Sequence, residues 1–148
     1  MTDTLHRLLE ITTVMEILQE SDSREEVLTG AIVADAAGRI LHATDGACTI
    51  FGYEAAAMRA LSLEELMPVR YRALHRAAFG RVASGEPSRL AGKSVELTGL
   101  TADGTEVAMA FRLSIRDTPE LGRLYVGRIW SMRGIDRSVL IRVEAGRE

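Results

Sequence analysis

The spacing of apolar side chains changes character several times along the chain. Residues 3–20 place Leu8, Ile11, Met15 and Leu18 at heptad a/d spacing, and Leu5, Val14 and Ile17 widen the stripe. That pattern predicts an amphipathic helix, with Thr2 or Asp3 suited to cap it. The polar run SDSREE at 21–26 ends this helix or opens a second short one. Gly30–Asp35 and Arg39–Ala43 then predict paired strands across the AAG turn at 36–38. Two short helices follow at Ala47–Phe51 and Glu54–Ala60, separated by Gly52 and Tyr53. Ser62 with Glu65 three residues on forms a capping box, and Pro68 limits the helix that it opens.

Arg70–Ser84 predicts a longer helix, stopped by Gly85 and Pro87. Its expected apolar stripe is Tyr71, Leu74, Ala78 and Val82, flanked by Phe79, with His75 on the same face. Arg70, Arg72, Arg76 and Arg81 take the more exposed positions. Three strands complete the pattern. The first is Arg89–Leu100. Across the turn signal Ala102-Asp103-Gly104, Thr105–Arg116 puts Val107, Met109, Phe111, Leu113 and Ile115 on one face. After DTPELG, Arg123–Met132 alternates Leu124, Val126 and Trp130 against Tyr125 and Ile129. The tail GIDRSVLIRVEAGRE is compatible with a short strand or a short helix.

Helices set beside consecutive antiparallel strands imply an α+β domain. The expected architecture is one five-stranded antiparallel sheet with helices on one face, preceded by the N-terminal amphipathic helix. The expected divisions are a helix and linker at 1–27, a domain at 28–133 and a tail at 134–148. The 148 residues suffice for one core, and 47% hydrophobic with 26% charged content is that of an ordinary globular chain.

Composition removes several function classes. A net charge of −3 offers no basic stripe for nucleic acid. Cys48 is the single cysteine, so one chain holds no disulfide framework and no cysteine zinc site. No apolar run approaches the roughly 18–20 residues of a membrane span, and MTDTLHRLLE lacks the pattern of a signal peptide. A cytoplasmic protein without membrane or nucleic-acid partners is expected. Arginine supplies 17 of the 18 basic residues, and alanine is abundant, which suits a GC-rich bacterial genome. No nucleophile elbow, phosphate loop or HExxH occurs. Asp35, Asp45, Glu64 and Glu65 fall at caps and turns, so no enzyme is expected.

The order of elements, with GRILHAT at 38–44, FGYE at 51–54, LMPVRYRALH at 66–75, ASGEP at 83–87 and ADGTEVAMAFRLS at 102–114, resembles the PAS family. The resemblance spans about residues 28–133. It implies a sensory or interaction module, often dimeric and often linked to a kinase, cyclase or transcription regulator. The extra N-terminal helix suggests a homodimer with Leu5, Leu8, Ile11, Met15 and Leu18 at its interface. Many PAS domains close the last strand with an Asp-Ile-Thr-like ending; here Ile129-Trp130-Ser131-Met132-Arg133 stands in its place. The resemblance implies either a stand-alone module acting on an effector in trans or a piece of a receptor whose effector domain is missing.

The run MPVRYRALH at 67–75 is similar to the proximal-histidine helix of haem-binding PAS oxygen sensors. That similarity implies His75 as a haem-iron ligand, the only metal role expected, in a pocket lined by Tyr71, Leu74, Phe79, Leu90, Val95, Met109 and Phe111. Imidazole suits iron, and an apolar shell suits a porphyrin. In the haem oxygen sensors a distal arginine follows on the next strand, where this chain has Val95. Flavin photochemistry in the family needs a cysteine in a Gly-Arg-Asn-Cys-like helix. Cys48 lies instead in GACTIFGYE, as a small apolar residue. Two readings of the pocket stand: a ligand or partner sensor without an assigned cofactor, and a haem-based gas or redox sensor.

Overall fold

The computed structural model describes residues 29–132 and 141–142. The amphipathic segment 3–20, with Leu5, Leu8, Ile11, Met15 and Leu18, lies outside the described residues. Strands β1 (Thr29–Ala34) and β2 (Ile40–Ala43) are joined by the turn that the sequence predicts. Asp35 closes it, because its Oδ1 accepts from the backbone N–H of Ala37 and of Arg39, both at 3.0 Å. Helix α1 (Asp45–Phe51) starts two residues earlier than the apolar pattern suggests. Thr44 is the reason. Its Oγ1 accepts from Ala31 N at 2.8 Å and from Ala47 N at 3.4 Å, so one hydroxyl caps α1 and ties it to β1.

Helix α2 (Ala55–Met58) is a single turn, and a 3-10 turn follows at Leu63–Leu66. The Glu65 carboxylate accepts from the Ser62 backbone N–H at 2.8 Å, as the capping spacing implies. Helix α3 (Val69–Ala83) begins directly after Pro68. Strand β3 (Ser94–Leu100) is shorter than the expected Arg89–Leu100. The difference is a turn at Gly92, whose φ is 81°, with Lys93 N donating to the Leu90 carbonyl at 3.0 Å. Strands β4 (Glu106–Thr118) and β5 (Gly122–Ser131) form a long hairpin, and β6 is the two-residue Ile141–Arg142. The short-strand alternative for the tail is therefore the one adopted at those two residues.

The strands form one sheet in the order β2-β1-β5-β4-β3-β6. The five long strands are antiparallel, as expected, and β6 adds a parallel pairing to Val95 and Glu96. Because β1 lies beside β5, the two ends of the domain meet at the sheet centre. Side chains of the sheet alternate between two buried layers. One layer joins Ile32, Met109 and Ile129 to Phe51, Met58 and Leu66 of the helical side. The other joins Val33, Leu41, Leu124 and Val126 on the opposite face. Helix α1 approaches β1 backbone to backbone. A Cβ built on Gly30 would lie 2.2 Å from Ala47 N, and one built on Gly46 would lie 1.6 Å from the Thr29 carbonyl oxygen. Only glycine permits that approach.

Candidate functional site

Between α3 and the inner face of the sheet lies a cavity of about 160 Å³. Its floor comes from alternate residues of the central strands, among them Ile32, Met109, Phe111, Tyr125 and Ile129. Its roof is α3, and the 3-10 turn supplies Leu63 and Leu66 at one side. Two floor positions are glycines with neighbouring side chains laid over them. A Cβ on Gly127 would meet Phe111 Cε2 at 2.7 Å, and one on Gly99 would meet Met109 Cε at 2.6 Å and Phe51 Cε1 at 2.8 Å. Glycine in a strand interior marks such close approach.

The face of α3 that turns inward carries His75, Ala78, Phe79 and Val82. This corrects the expected stripe. Leu74 is 44% exposed and does not line the cavity. At 3.6 residues per turn it sits about 90° round the helix from the centre of the buried face. Tyr71 is half-buried at the first turn, under the Arg70 guanidinium at 4.5 Å from the ring centroid, and is also outside the lining. Val95 is fully buried opposite Phe111 on β4, outside the lining. His75, Phe79, Leu90, Met109 and Phe111 are brought together around the cavity.

Tyr125, Thr98 and the two glycines also line the cavity, and the spacing along the chain does not point to them. The alternation along β5 sets Tyr125 on the strand face opposite Leu124, but it does not say which face turns inward. The strand-interior glycines were the available signal for a close approach there. Tyr125, Phe79 and His75 form a row, with ring centroids 4.6 Å apart for Phe79–Tyr125 and 5.5 Å for His75–Phe79. The His75 Nδ1 and the Tyr125 hydroxyl oxygen are both sealed from solvent. Among the described lining residues none is Asp, Glu, Lys or Arg.

Charged groups hold the roof from outside. Arg70 donates through both terminal nitrogens to Glu106 at 2.6 and 2.7 Å, fixing the first turn of α3 to the start of β4. Arg76 pairs with Glu64 on the 3-10 turn. Arg123 donates to the Val82 carbonyl at 3.1 Å, satisfying one of the open carbonyls at the helix C-terminus. Hydrogen bonds from these arginines hold the Glu64 and Glu106 carboxyls below their ordinary value. Burial, and secondarily Asp45, pushes the Cys48 thiol up, which keeps it a thiol.

Among the described residues no group of three or more His, Cys, Asp or Glu converges as a metal site. The residues present do not fit haem. His75 faces the cavity, but about 160 Å³ is single-ring space, since an apolar cavity of about 150 Å³ holds one benzene. A four-ring macrocycle does not enter among these side chains as placed. No described helix is long and apolar enough to cross a membrane.

This arrangement of sheet and helices has many known counterparts. A family model for the PAS fold matches residues 17–120. The chain belongs to the PAS family. No curated protein matches it. Among solved structures, it is similar to a domain of a sensory box sensor histidine kinase/response regulator from Geobacter sulfurreducens, with 24% identity and a TM-score of 0.52 over 72% of this chain and 85% of that one. It is also similar to a PAS domain from Desulfitobacterium hafniense, at 14% identity and a TM-score of 0.56, over 73% and 97% of the two chains. The PAS domain of an HTR-like protein from Haloarcula marismortui aligns with 18% identity and a TM-score of 0.53, over 87% and 98%. These likenesses carry the fold. PAS domains as a family are sensory signal-transduction modules rather than enzymes.

Proposed function

We propose that this PAS protein is a cytoplasmic, non-catalytic sensor whose signal is occupancy of the cavity under α3. The single observation that supports it most is the chamber itself, apolar except for a few polar groups and bounded by one helix and one sheet. A ligand there touches both at once, so it shifts their relative position to the extent that it binds one arrangement better than another. The shift passes through the sheet to the amphipathic segment 3–20. That segment forms a homodimer through Leu5, Leu8, Ile11, Met15 and Leu18, and the dimer acts on an effector supplied in trans or in a further domain.

Light scattering tests the output half. Deleting residues 1–20 lowers the measured mass to that of a monomer, and a dimer of unchanged stoichiometry overturns the helix-mediated assembly. The input half is tested by Ala78→Leu, which fills the chamber from the roof. If the cavity is the receiver, this variant stops responding to any small molecule that raises the wild-type melting temperature. The haem alternative has its own readout. Protein purified after expression with added haem is colourless if the chamber stays as small as its side chains make it. A haem absorbance band abolished by His75→Ala would replace this reading with a haem sensor.

A further inference from the structure

We propose that the outer face of the sheet, away from the cavity, is the seat of this chain's own segment 3–20, with Glu10, Val14, Ile17 and Glu20 making the contact. This deepens the sensory reading above, which needs a physical contact between sheet and segment. Burial points to a cover on that face. Val33, Leu124 and Val126 are 0% exposed there, and Leu41 is 3% exposed. Side chains stand roughly perpendicular to a sheet, so neighbours in their own layer flank them without capping them. The described helices lie on the other side, where Ala47, Met58, Leu66 and Ala78 serve the inner core or the cavity. Among the described hydrophobic residues, Leu121 alone packs on the cluster from outside it.

Connectivity selects the segment. The C-terminal tail is tied to the far edge of the sheet, where Ile141 and Arg142 pair with β3. The cluster lies instead on β2, β1 and β5. The chain before Thr29 leads directly into β1, between β2 and β5. Residues 21–28 reach about 26 Å when extended, enough to turn segment 3–20 back over the face. As a helix that segment spans about 27 Å, more than the roughly 20 Å length of β1.

Charge fixes the register. In the β4–β5 pairing Arg112 stands opposite Arg128, and Arg116 opposite Leu124, on the face that also carries Val126. Like charges set opposite each other in a sheet repel. Burial, and secondarily Arg116, holds the Arg128 guanidinium below its ordinary value. Between Ala110 and Arg116 the register puts one described acid on this face, Glu96, across from Ala110. Arg116 and Arg128 already interact within the fold, and segment 3–20 supplies carboxylates to their row. It holds Asp3, Glu10, Glu16 and Glu20 against Arg7. On a helix, Glu10, Val14, Ile17 and Glu20 succeed one another at i+4 and i+3 steps, which makes one ridge. The acids at its ends lie about 15 Å apart at 1.5 Å per residue. Arg112 and Arg116 lie about 14 Å apart along β4 at 3.4 Å per residue. Val14 and Ile17 then fall over Val126 and Val33. Glu20, the acid nearer β1, meets Arg112 and Arg128, and Glu10 meets Arg116. The line Leu8, Ile11, Met15 and Leu18 lies on another side of the helix, where it serves a second copy.

Hydrogen exchange of the full chain, followed by mass spectrometry over peptides from residues 10–20, tests the seat. Glu10→Arg with Glu20→Arg, and separately Arg112→Glu with Arg116→Glu, replace attraction by repulsion at both ends. Arg112 and Arg116 are exposed, so their reversal spares the core. Each pair of changes should speed exchange over 10–20 about tenfold. The chain carrying all four recovers most of the slow exchange, which a folding defect does not. In wild type the slow exchange persists on dilution. Unchanged exchange in either reversed variant, or no recovery in the fourfold chain, overturns the seat. Protection that falls on dilution in step with the mass from light scattering puts a second copy's segment on this face and also overturns it. The response of the cavity to small molecules, compared between wild type and Ala78→Leu, is a separate measurement. Loss of the seat with that response intact leaves the cavity as receiver, so the two failures are told apart.

Discussion

Replacing Gly127 with alanine tests whether the chamber is real space. Gly127 sits within β5, paired with Ile32 on β1 and Leu113 on β4. Its backbone is ordinary for a strand, so alanine brings no torsional strain and gains about 0.5–1 kcal/mol from the smaller loss of chain entropy. Against that, the new methyl would stand 2.7 Å from Phe111 Cε2 and 3.3 Å from Cζ. Carbons prefer about 3.5–4.0 Å, so the ring must withdraw by about 1 Å. In a filled core that displacement costs about 1–3 kcal/mol. Here Phe111 borders the chamber and has somewhere to go. The expected net destabilisation is about 1 kcal/mol, seen as a drop of about 3 °C in melting temperature for a chain of this length. The ring then occupies part of the 160 Å³, and any small molecule that binds in the chamber binds more weakly. Urea unfolding and calorimetry on the same preparations read both quantities. A loss above about 3 kcal/mol with unaltered ligand affinity would mean that Phe111 has no room to retreat, and the reasoning about the chamber would be wrong.

Gly30→Ala provides the contrast, because its methyl meets the Ala47 backbone at 2.2 Å rather than a movable ring. It should cost about 3 kcal/mol or more and pull α1 off β1; a stability within about 1 kcal/mol of wild type in urea would count against that packing. Thr44→Val keeps shape but removes the oxygen that accepts from Ala31 and Ala47. A destabilisation of about 1–2 kcal/mol is expected, largely recovered by Thr44→Ser, and equal losses in both variants would contradict a hydrogen-bonding role. Acid should weaken the fold in a defined direction. Glu64 and Glu106 are held below the ordinary glutamate value of 4.5 by hydrogen bonds from Arg76 and Arg70. The unfolded chain therefore binds more protons than the native one just below 4.5. The stabilisation is fully present above that value and is lost as the pH falls through the folded-state pKa values. Urea midpoints between about pH 6 and about pH 3 should fall less steeply in the Arg70→Ala, Arg76→Ala double variant, and identical slopes would remove these pairs from the account.

Much of the element order was legible because it rests on local chemistry. Asp35 and Gly38 closing the first turn, Glu65 reaching back to Ser62, and the period-two run from Val107 to Ile115 are all decided within a few residues. The same locality placed His75 and Phe79 inward, since they are neighbours at i and i+4 on one helix face. What failed was phase and facing. An expected stripe through Leu74 is about a quarter turn from the buried face, because the periodicity of α3 is weak and three arginines are drawn to external partners. Strand β3 lost Arg89–Lys93 to a turn whose partner, the Leu113 carbonyl, lies on another strand.

By itself, then, the sequence determined the α+β order, the five main strands and the candidate helix carrying His75, because turns, caps and periodicity are short-range. Only the tertiary structure decided that β1 lies beside β5 and that Tyr125 faces the same space as His75. It also set the chamber's volume of about 160 Å³. Strand order and cavity volume depend on which distant side chains share a layer, and at Gly99 and Gly127 on which ring lies over a missing Cβ. Those are long-range packing facts, and no local pattern along the chain encodes them.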